Sequence, residues 1–221
     1  QKDRDLIRQR AGHVDVVFGT HNVHRATELM AEARERGPLT EIWDEADDDA
    51  AFASVLPARR ETDYAAWVTI QVGCDNSCAF CIVPAVRGVE ISRPFDEVVA
   101  EVERLAAEGV TEVTLLGQNV NSYGRDLNLA DRRAGNTATR VRPRFAELLR
   151  QVGAVDGIRR VRYTSPHPKD MTAEVFEAMA ATPTVVPHLH FPLQSGSDPV
   201  LAAMHRGYTA ERYLARLAEA R

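Results

Sequence analysis

The feature that most constrains the fold is a repeated alternation of strand-like segments with helical segments, from residue 66 onward. Four predicted strands, at 66–72, 110–116, 158–164 and 188–193, are each followed by a segment with helical periodicity. This alternation predicts a parallel sheet, because each crossover helix returns the chain to the same edge of the sheet. A doubly wound sheet and an opened (β/α) barrel both fit the pattern. Both place their functional loops at the carboxyl ends of the strands.

The helix after the first strand gives the clearest helical pattern. Residues 94–108 place Val98, Val102 and Leu105 on one face, and Gly109 is suited to end the helix. Two further helices are predicted at 144–152 and 172–181, and helical segments close the chain. The polar residues that follow the second strand, up to about Pro143, predict a long loop.

The first 61 residues are interpreted as a separate unit. Residues 14–19 predict a strand and residues 26–33 predict a helix, which Gly37 and Pro38 end. An acidic run and the stretch Pro57–Arg60 are typical of a linker, so we expect a domain boundary near residue 62. The acidic run consists of Glu41, Asp44, Glu45, Asp47, Asp48 and Asp49.

Composition and charge exclude a membrane-spanning protein and few other classes of protein. The sequence has no apolar run of transmembrane length and no signal peptide, so a cytoplasmic location is expected. The net charge of −5 does not by itself favour nucleic-acid binding. Five arginines nevertheless form a stretch without an intervening acid, at Arg132, Arg133, Arg140, Arg142 and Arg144.

The three cysteines, Cys74, Cys78 and Cys81, lie within eight positions directly after the first predicted strand. An odd number at such close spacing favours a metal site in a reducing compartment over a disulfide framework. Three thiolates on one loop can hold three irons of a 4Fe–4S cluster and leave the fourth iron open. The alternatives are a structural zinc with a distant histidine, three unrelated buried thiols, and an α/β enzyme with Cys81 as nucleophile.

The spacing Cys-x-x-x-Cys-x-aromatic-Cys resembles the radical S-adenosylmethionine (SAM) superfamily. The resemblance implies that SAM binds the open iron through its amino and carboxylate groups. One electron from the cluster then cleaves SAM to a 5′-deoxyadenosyl radical, which abstracts hydrogen from carbon. Phe80, between the second and third cysteines, would lie near the adenine of SAM, with plain core packing as the alternative.

The flanking motifs resemble the methylthiotransferase family, and in particular its branch that makes 2-methylthio-N(6)-dimethylallyladenosine in tRNA. The implied fold is a partial radical-SAM (β/α) barrel in residues 62–221, preceded in residues 1–61 by the end of an α/β N-terminal methylthiotransferase domain. The resemblance is carried by 18–22, 81–88, 92–94, 115–124, 165–170 and 192–198.

The same resemblance assigns residues to roles. Gly117, Gln118 and Asn119 would contact the SAM amino group, because a carbonyl and an amide oxygen can accept from an ammonium. Ser165 and Gln194, together with His167 and Ser195, are candidates for SAM or substrate contacts, and a loop without such contacts is the alternative. The arginines proposed to contact substrate are Arg87, Arg132, Arg133 and Arg140.

These arginines, and Arg93 with them, also have a structural interpretation. Arg87 and Arg93 fit ion pairs around the helix after the cysteine loop, and a run of arginines is commonly a solvated loop. His188 and His190 alternate with apolar residues, which indicates hydrogen-bonded histidines in the interior of a strand.

The resemblance implies tRNA as substrate and an electron donor such as flavodoxin or ferredoxin. Family members carry a second 4Fe–4S cluster in an N-terminal domain, and this sequence has no cysteine before Cys74. We therefore expect a fragment that begins after the last auxiliary ligand and ends before the remaining barrel strands. Such a fragment would bind at most one cluster and would not complete methylthiolation. The alternatives are a relative acting on threonylcarbamoyl-adenosine in tRNA or on a ribosomal protein, and a zinc-binding module without catalysis.

Overall fold

The computed structural model describes residues 4–43, 60, 62–136 and 140–221. The acidic residues 44–49 and most of the predicted linker lie outside the described residues, as does residue 61 beside the predicted boundary.

The N-terminal region is a small β-α-β unit. Its elements are α1 (Arg4–Arg10), β1 (Val16–Phe18), a 3-10 helix (Thr20–Arg25), α2 (Ala26–Arg36) and β2 (Leu39–Glu41). β1 and β2 pair in parallel, and α2 buries Leu29 and Ala33. The predicted strand at 14–19 and the predicted helix at 26–33 are both confirmed. Gly37 ends α2, with its N–H bonded to the carbonyl of Ala33.

The second region is built on a three-stranded parallel sheet. Its elements are β3 (Ala65–Thr69), β4 (Gln71–Val72), α3 (Val83–Arg87), β5 (Ile91–Ser92), α4 (Phe95–Ala107), β6 (Glu112–Leu116), a 3-10 helix (Val120–Ser122), α5 (Arg125–Arg133), α6 (Phe145–Gly153), β7 (Arg160–Tyr163), a 3-10 helix (Pro168–Asp170), α7 (Ala173–Ala181), α8 (Asp198–Ala203) and α9 (Ala210–Glu219). The sheet order is β3-β6-β7, and β4 and β5 form a separate antiparallel pair. This is the α/β architecture of a partial radical-SAM fold that the sequence predicts.

The two faces of the parallel sheet differ in burial. Val68, Val113 and Val161 are fully buried, and they belong to one core cluster with residues of α4, α6 and α7. Burying each such side chain contributes roughly 1.5–3 kcal/mol, so this face anchors the region. α4 adds Val98, Val102 and Leu105, the three residues that the helical pattern places on its inner face. On the opposite face, Trp67 of the edge strand β3 is 69% exposed.

The predicted long loop after the second strand is wrong, because it contains α5. This helix buries a polar residue, Asn128, whose side-chain amide donates to the carbonyl of Arg142 at 2.9 Å. A helix held by a polar contact lacks the apolar stripe from which helices are recognised in a sequence.

The predicted fourth strand at 188–193 is also wrong, since no strand forms over these described residues. The chain instead contacts β7 at one bridge, Val161–Val185, a few residues earlier. Proline cannot donate to a strand ladder; Pro187 precedes the predicted segment and Pro192 lies within it. His188 and His190 are exposed, so the expectation of interior histidines is wrong as well.

Helices α8 and α9 confirm the helical end of the chain. Leu201 of α8 is fully buried and packs with Tyr208 and Tyr213 in a second small cluster. Among the described helices, none is both long enough and apolar enough to cross a bilayer.

Candidate functional site

The cysteine loop begins where β4 ends, at the carboxyl end of the first core strand. Cys74 is buried, Cys78 is half-buried and Cys81 is exposed, so the three thiols extend from the interior to the surface. The N–H of Cys74 donates to the carbonyl of Gly88 at 3.2 Å, and that of Cys81 donates to the carbonyl of Cys78 at 3.0 Å. The loop is therefore folded on its own backbone and tied to the segment after α3.

Contacts from distant parts of the chain hold the outer side of the loop. Lys169 Nζ donates to Asn76 Oδ1 at 2.5 Å. The His205 ring Nδ1 lies 2.9 Å from the carbonyl oxygen of Ser77, and the N–H of Ala79 donates to the carbonyl of Met204 at 3.2 Å. The turn after α8 thus supports the cysteine loop.

The surroundings of Cys74 disfavour an isolated thiolate at this position. Burial raises the pKa of the Cys74 thiol, and the nearby Glu90, Cys78 and Cys81 raise it further. Mutual repulsion of this kind is relieved when thiolates share a cation or an iron cluster. Arg206 Nη1 also lies 3.8 Å from Cys78 Sγ, where it can donate to a thiolate. Among the described residues, no three His, Cys, Asp or Glu side chains converge on a single metal ion.

Beside the loop, the carboxyl ends of β3 and β6 line a cavity of about 270 Å³. Gly117, Gln118 and Arg87, three residues expected from the resemblance, line it together with Gln71. The side-chain oxygens of Gln71 and Gln118 are buried and have no hydrogen-bond partner among the described residues. Buried acceptors without a donor are costly, so this cavity, which we call the amide cavity, fits a ligand with an ammonium or amine group.

Asn119, which follows Gly117 and Gln118 in the sequence, does not line the amide cavity. Its amide donates to Asp170 Oδ2 at 2.7 Å, and Asp170 also accepts from Arg125 at 2.7 Å. Asn121 holds the backbone of His167 by two hydrogen bonds, of 2.8 and 3.0 Å. These contacts fix the loop after β7 against the loop after β6.

His167 is buried in this network and lies next to Arg206. Its Nδ1 accepts from the N–H of Lys169 at 3.2 Å, and its Nε2 lies 3.5 Å from Arg206 Nη1. Burial is the main cause that lowers the pKa of His167, to about 4. The ring is therefore neutral at pH 7 and able to accept a hydrogen bond.

Glu90 is a buried carboxyl group beneath the cysteine loop. Burial raises its pKa to about 7, although Ser122 Oγ makes a hydrogen bond to it. The folded state therefore retains a proton between pH 4.5 and about 7 that the unfolded state loses, so stability falls as the pH rises through this window.

We predict that Glu90→Gln raises the free energy of unfolding at pH 8 by on the order of 2–3 kcal/mol and leaves it unchanged near pH 4. Urea unfolding of the metal-free protein across this range measures the difference. His167 contributes equally to both proteins, so its titration cancels. The exposed Glu103→Gln is the control, and a gain that is the same at both pH values would contradict the prediction.

The remaining predicted residues are spread over the surface. Phe80 is fully exposed, so core packing is excluded as its role, and Gln194 is exposed with a φ of +69°. Ser165 lines a second cavity, together with Trp67 and Thr114. Arg132, Arg133 and Arg140 are exposed, and Arg87 is exposed at the rim of the amide cavity.

Three other arginines have structural roles. Arg93 is buried and pairs with Glu101 at 2.5 Å, which confirms the ion-pair interpretation. Arg142 pairs with Glu174, and Arg144 pairs with Glu147 and lies over the Phe95 ring. The basic stretch is thus partly neutralised.

Sequence reasoning missed Gln71, Glu90, Lys169, His205 and Arg206. Gln71 lies near Gly117 and Gln118 because β3 and β6 pair in register, with Thr69 opposite Leu116. The last three reach the cysteine loop across 93 to 128 residues of chain. No local pattern signals such contacts.

A parallel α/β core with three thiols at the carboxyl end of its first strand, beside a cavity with buried amide acceptors, is typical of the class of cofactor-binding α/β enzymes. The sequence profile of the Radical SAM superfamily matches residues 68–221, and the chain belongs to this superfamily. Membership implies SAM and an iron–sulfur cluster as its cofactors.

Similar proteins carry one recurrent name. The tRNA-2-methylthio-N(6)-dimethylallyladenosine synthase of Streptomyces coelicolor is 56% identical over 97% of this chain and 40% of its own length. The protein of the same name from Mycobacterium avium is 55% identical over 97% of this chain and 29% of its own length. A solved structure of the radical SAM methyltransferase TsrM from Kitasatospora setae is 19% identical, with a TM-score of 0.45 over 71% of this chain and 28% of that one. The chain therefore spans about 40% of the length of the Streptomyces coelicolor protein.

Proposed function

We propose that the chain forms the cluster- and SAM-binding part of an enzyme that methylthiolates C2 of N(6)-dimethylallyladenosine in tRNA. The observation that carries the proposal is 56% identity to a synthase of that name over 97% of this chain. The cysteine loop lies inside the segment that matches the superfamily profile. We also propose the domain boundary near residue 62, between the β-α-β unit and the core.

Within this proposal, Cys74, Cys78 and Cys81 hold a 4Fe–4S cluster. When bound, the cluster and SAM supply the electron transfer and the radical that the reaction needs. The chain's own residues position the ligands. Cys74 anchors the inner side of the loop, and Arg206 donates toward the Cys78 sulfur, which stabilises the thiolate form.

The amide cavity is the proposed site for the amino group of SAM. The Gln71 and Gln118 oxygens would accept from the ammonium, and Gly117 leaves room there, since an added Cβ would lie 2.8 Å from the Gln71 side chain. Asn119 supports this loop through Asp170. Phe80, Ser165 and Gln194 remain proposed contacts for SAM or substrate.

The wider partners are proposals as well. The exposed Arg132, Arg133 and Arg140 suit contacts with tRNA phosphates, because such contacts need accessible cationic side chains. An electron donor such as flavodoxin or ferredoxin would reduce the cluster. A second 4Fe–4S cluster in the wider protein would require ligands beyond the three cysteines of this chain.

Nucleoside mass spectrometry of tRNA from cells lacking the gene tests the proposed substrate. We expect 2-methylthio-N(6)-dimethylallyladenosine to disappear and N(6)-dimethylallyladenosine to accumulate. Loss of the methylthio group from threonylcarbamoyl-adenosine, or from a ribosomal protein, would assign the chain to another substrate.

Metal analysis tests the cofactor. Anaerobic reconstitution with iron and sulfide should give a brown protein with about four irons per chain, the content of one cluster. A colourless protein that contains zinc would support a non-catalytic module. More than about four irons would contradict the single cluster.

A further inference from the structure

The open face of the parallel sheet forms a second cavity, of about 370 Å³, which we call the base cavity. Trp67, Thr114 and Arg162 lie side by side in register on this face, on β3, β6 and β7. His188, His190 and Ser165 close it from the segments that follow. The volume lies within the range of roughly 300–1,000 Å³ that is usual for small-molecule sites.

The lining of the base cavity suits a flat, neutral ring system with polar edges. The Trp67 indole is 69% exposed, which leaves its apolar ring available for stacking. Two imidazoles and two hydroxyl groups, from His188, His190, Thr114 and Ser165, can exchange hydrogen bonds with the edges of a ring. Arg162 Nε donates to Glu112 at 2.9 Å, and the same carboxylate pairs with Arg160 at 3.3 Å.

The base cavity lies directly below the amide cavity on the same face of the sheet. Side chains two residues apart on a strand share a face, so Thr69 follows Trp67 and Leu116 follows Thr114. Thr69 and Leu116 line the amide cavity. On β3 and β6, the residues that line the two cavities are therefore consecutive on one face, about 7 Å apart along the strands.

We propose that the base cavity binds the adenine base of the nucleoside substrate, with Trp67 stacking on the ring and His188 and His190 contacting its edge. The proposal rests on the proposed function, because that function supplies a nucleoside substrate whose purine ring can stack in the cavity. A base bound in the base cavity would lie beside a ligand bound in the amide cavity, displaced along the strands by about two residues. Trp67, His188 and His190 then act in substrate binding.

The chain has two tryptophans, which gives the test a built-in reference. Trp43 lies in the N-terminal unit, with its ring 5.6 Å from that of His24. Trp43→Phe leaves Trp67 as the only indole emitter, and Trp67→Phe leaves Trp43. Both cluster-loaded proteins absorb light equally, so the difference between them isolates Trp67. Circular dichroism confirms that each variant is folded.

Titration with N(6)-dimethylallyladenosine should quench the emission of the Trp43→Phe protein saturably and leave that of the Trp67→Phe protein unchanged. His188→Ala with His190→Ala should weaken binding about tenfold, a loss typical of removing base contacts, and the exposed His13→Ala should have no effect. Equal quenching of both single-tryptophan proteins, or no quenching at millimolar nucleoside, would overturn the proposal.

Competition separates the substrate base from the adenine of SAM. S-adenosylhomocysteine should bind without displacing the nucleoside, and displacement would assign the base cavity to SAM and overturn the proposal. The proposed function fails separately, if the tRNA of the deletion strain keeps its methylthio group. If the tRNA of the deletion strain loses its methylthio group but the emission of Trp67 does not change on nucleoside addition, only the base cavity is rejected.

Discussion

Replacing any one of Cys74, Cys78 and Cys81 with serine is expected to lower the iron content of the reconstituted protein from about four atoms per chain to less than one. Thiolates are the ligands that iron–sulfur clusters require, and a serine hydroxyl is a harder and less acidic donor. SAM cleavage under strong reductant should fall to the level of a control without protein. Iron and sulfide assays and chromatographic detection of 5′-deoxyadenosine measure the two losses.

The differing burial of the three thiols separates ligation from folding. Cys81 is exposed, so Cys81→Ser should lose iron while the free energy of unfolding of the metal-free protein stays within about 0.5 kcal/mol of its original value. Ser77→Ala is the matched control in the same loop, where only the Ser77 carbonyl makes a described contact. If Cys81→Ser retained four irons, the three-cysteine ligand set would be wrong.

The elements that sequence analysis predicts correctly are those with local, periodic apolar patterns. α4 shows its three buried residues at helical spacing, and β3, β6 and β7 place buried apolar residues at alternate positions. The two errors have local causes of another kind. α5 is stabilised by Asn128, a polar contact, and the segment at 188–193 contains apolar residues in a place where prolines prevent pairing.

The residues of the site also fall into two groups, those that form local sequence motifs and those that only tertiary structure brings together. The cysteine spacing and Gly117–Gln118 are visible as motifs because their residues are close together in the sequence. Arg206 and Lys169 reach the cysteine loop only through tertiary structure. The base cavity becomes visible only when the register aligns Trp67 with Thr114 and Arg162. A parallel register between strands separated by a helix is set by packing, which a single sequence does not display.

Gly73, the residue before the first cysteine, controls the geometry of the loop. Its φ is +75°, and a Cβ at this position would lie 1.9 Å from the carbonyl oxygen of Val89. The obstructing atom belongs to the backbone, so no side-chain rotation can relieve the contact. Relief would require the segment before β5 to move away from β4, which would stretch the Cys74 N–H bond to the Gly88 carbonyl.

We predict that Gly73→Ala lowers the free energy of unfolding by about 3 kcal/mol or more, from roughly 1–2 kcal/mol for a left-handed alanine plus the cost of the displaced backbone. Gly109→Ala is the matched control, because Gly109 has a φ of +92° and nothing lies within 4 Å of its added Cβ. That variant should lose only about 1–2 kcal/mol. Urea unfolding of both metal-free proteins gives the comparison.

The two glycine variants also separate stability from cofactor binding. Gly109 lies after α4, outside the cysteine loop, so Gly109→Ala should keep about four irons per chain under conditions where it remains folded. Gly73→Ala displaces the backbone that carries Cys74, and we expect its iron content to fall even at temperatures where it is fully folded. Equal losses of stability in the two variants would show that the Val89 carbonyl does not restrict this position. A full complement of iron in Gly73→Ala would show that the position of Cys74 tolerates the displacement.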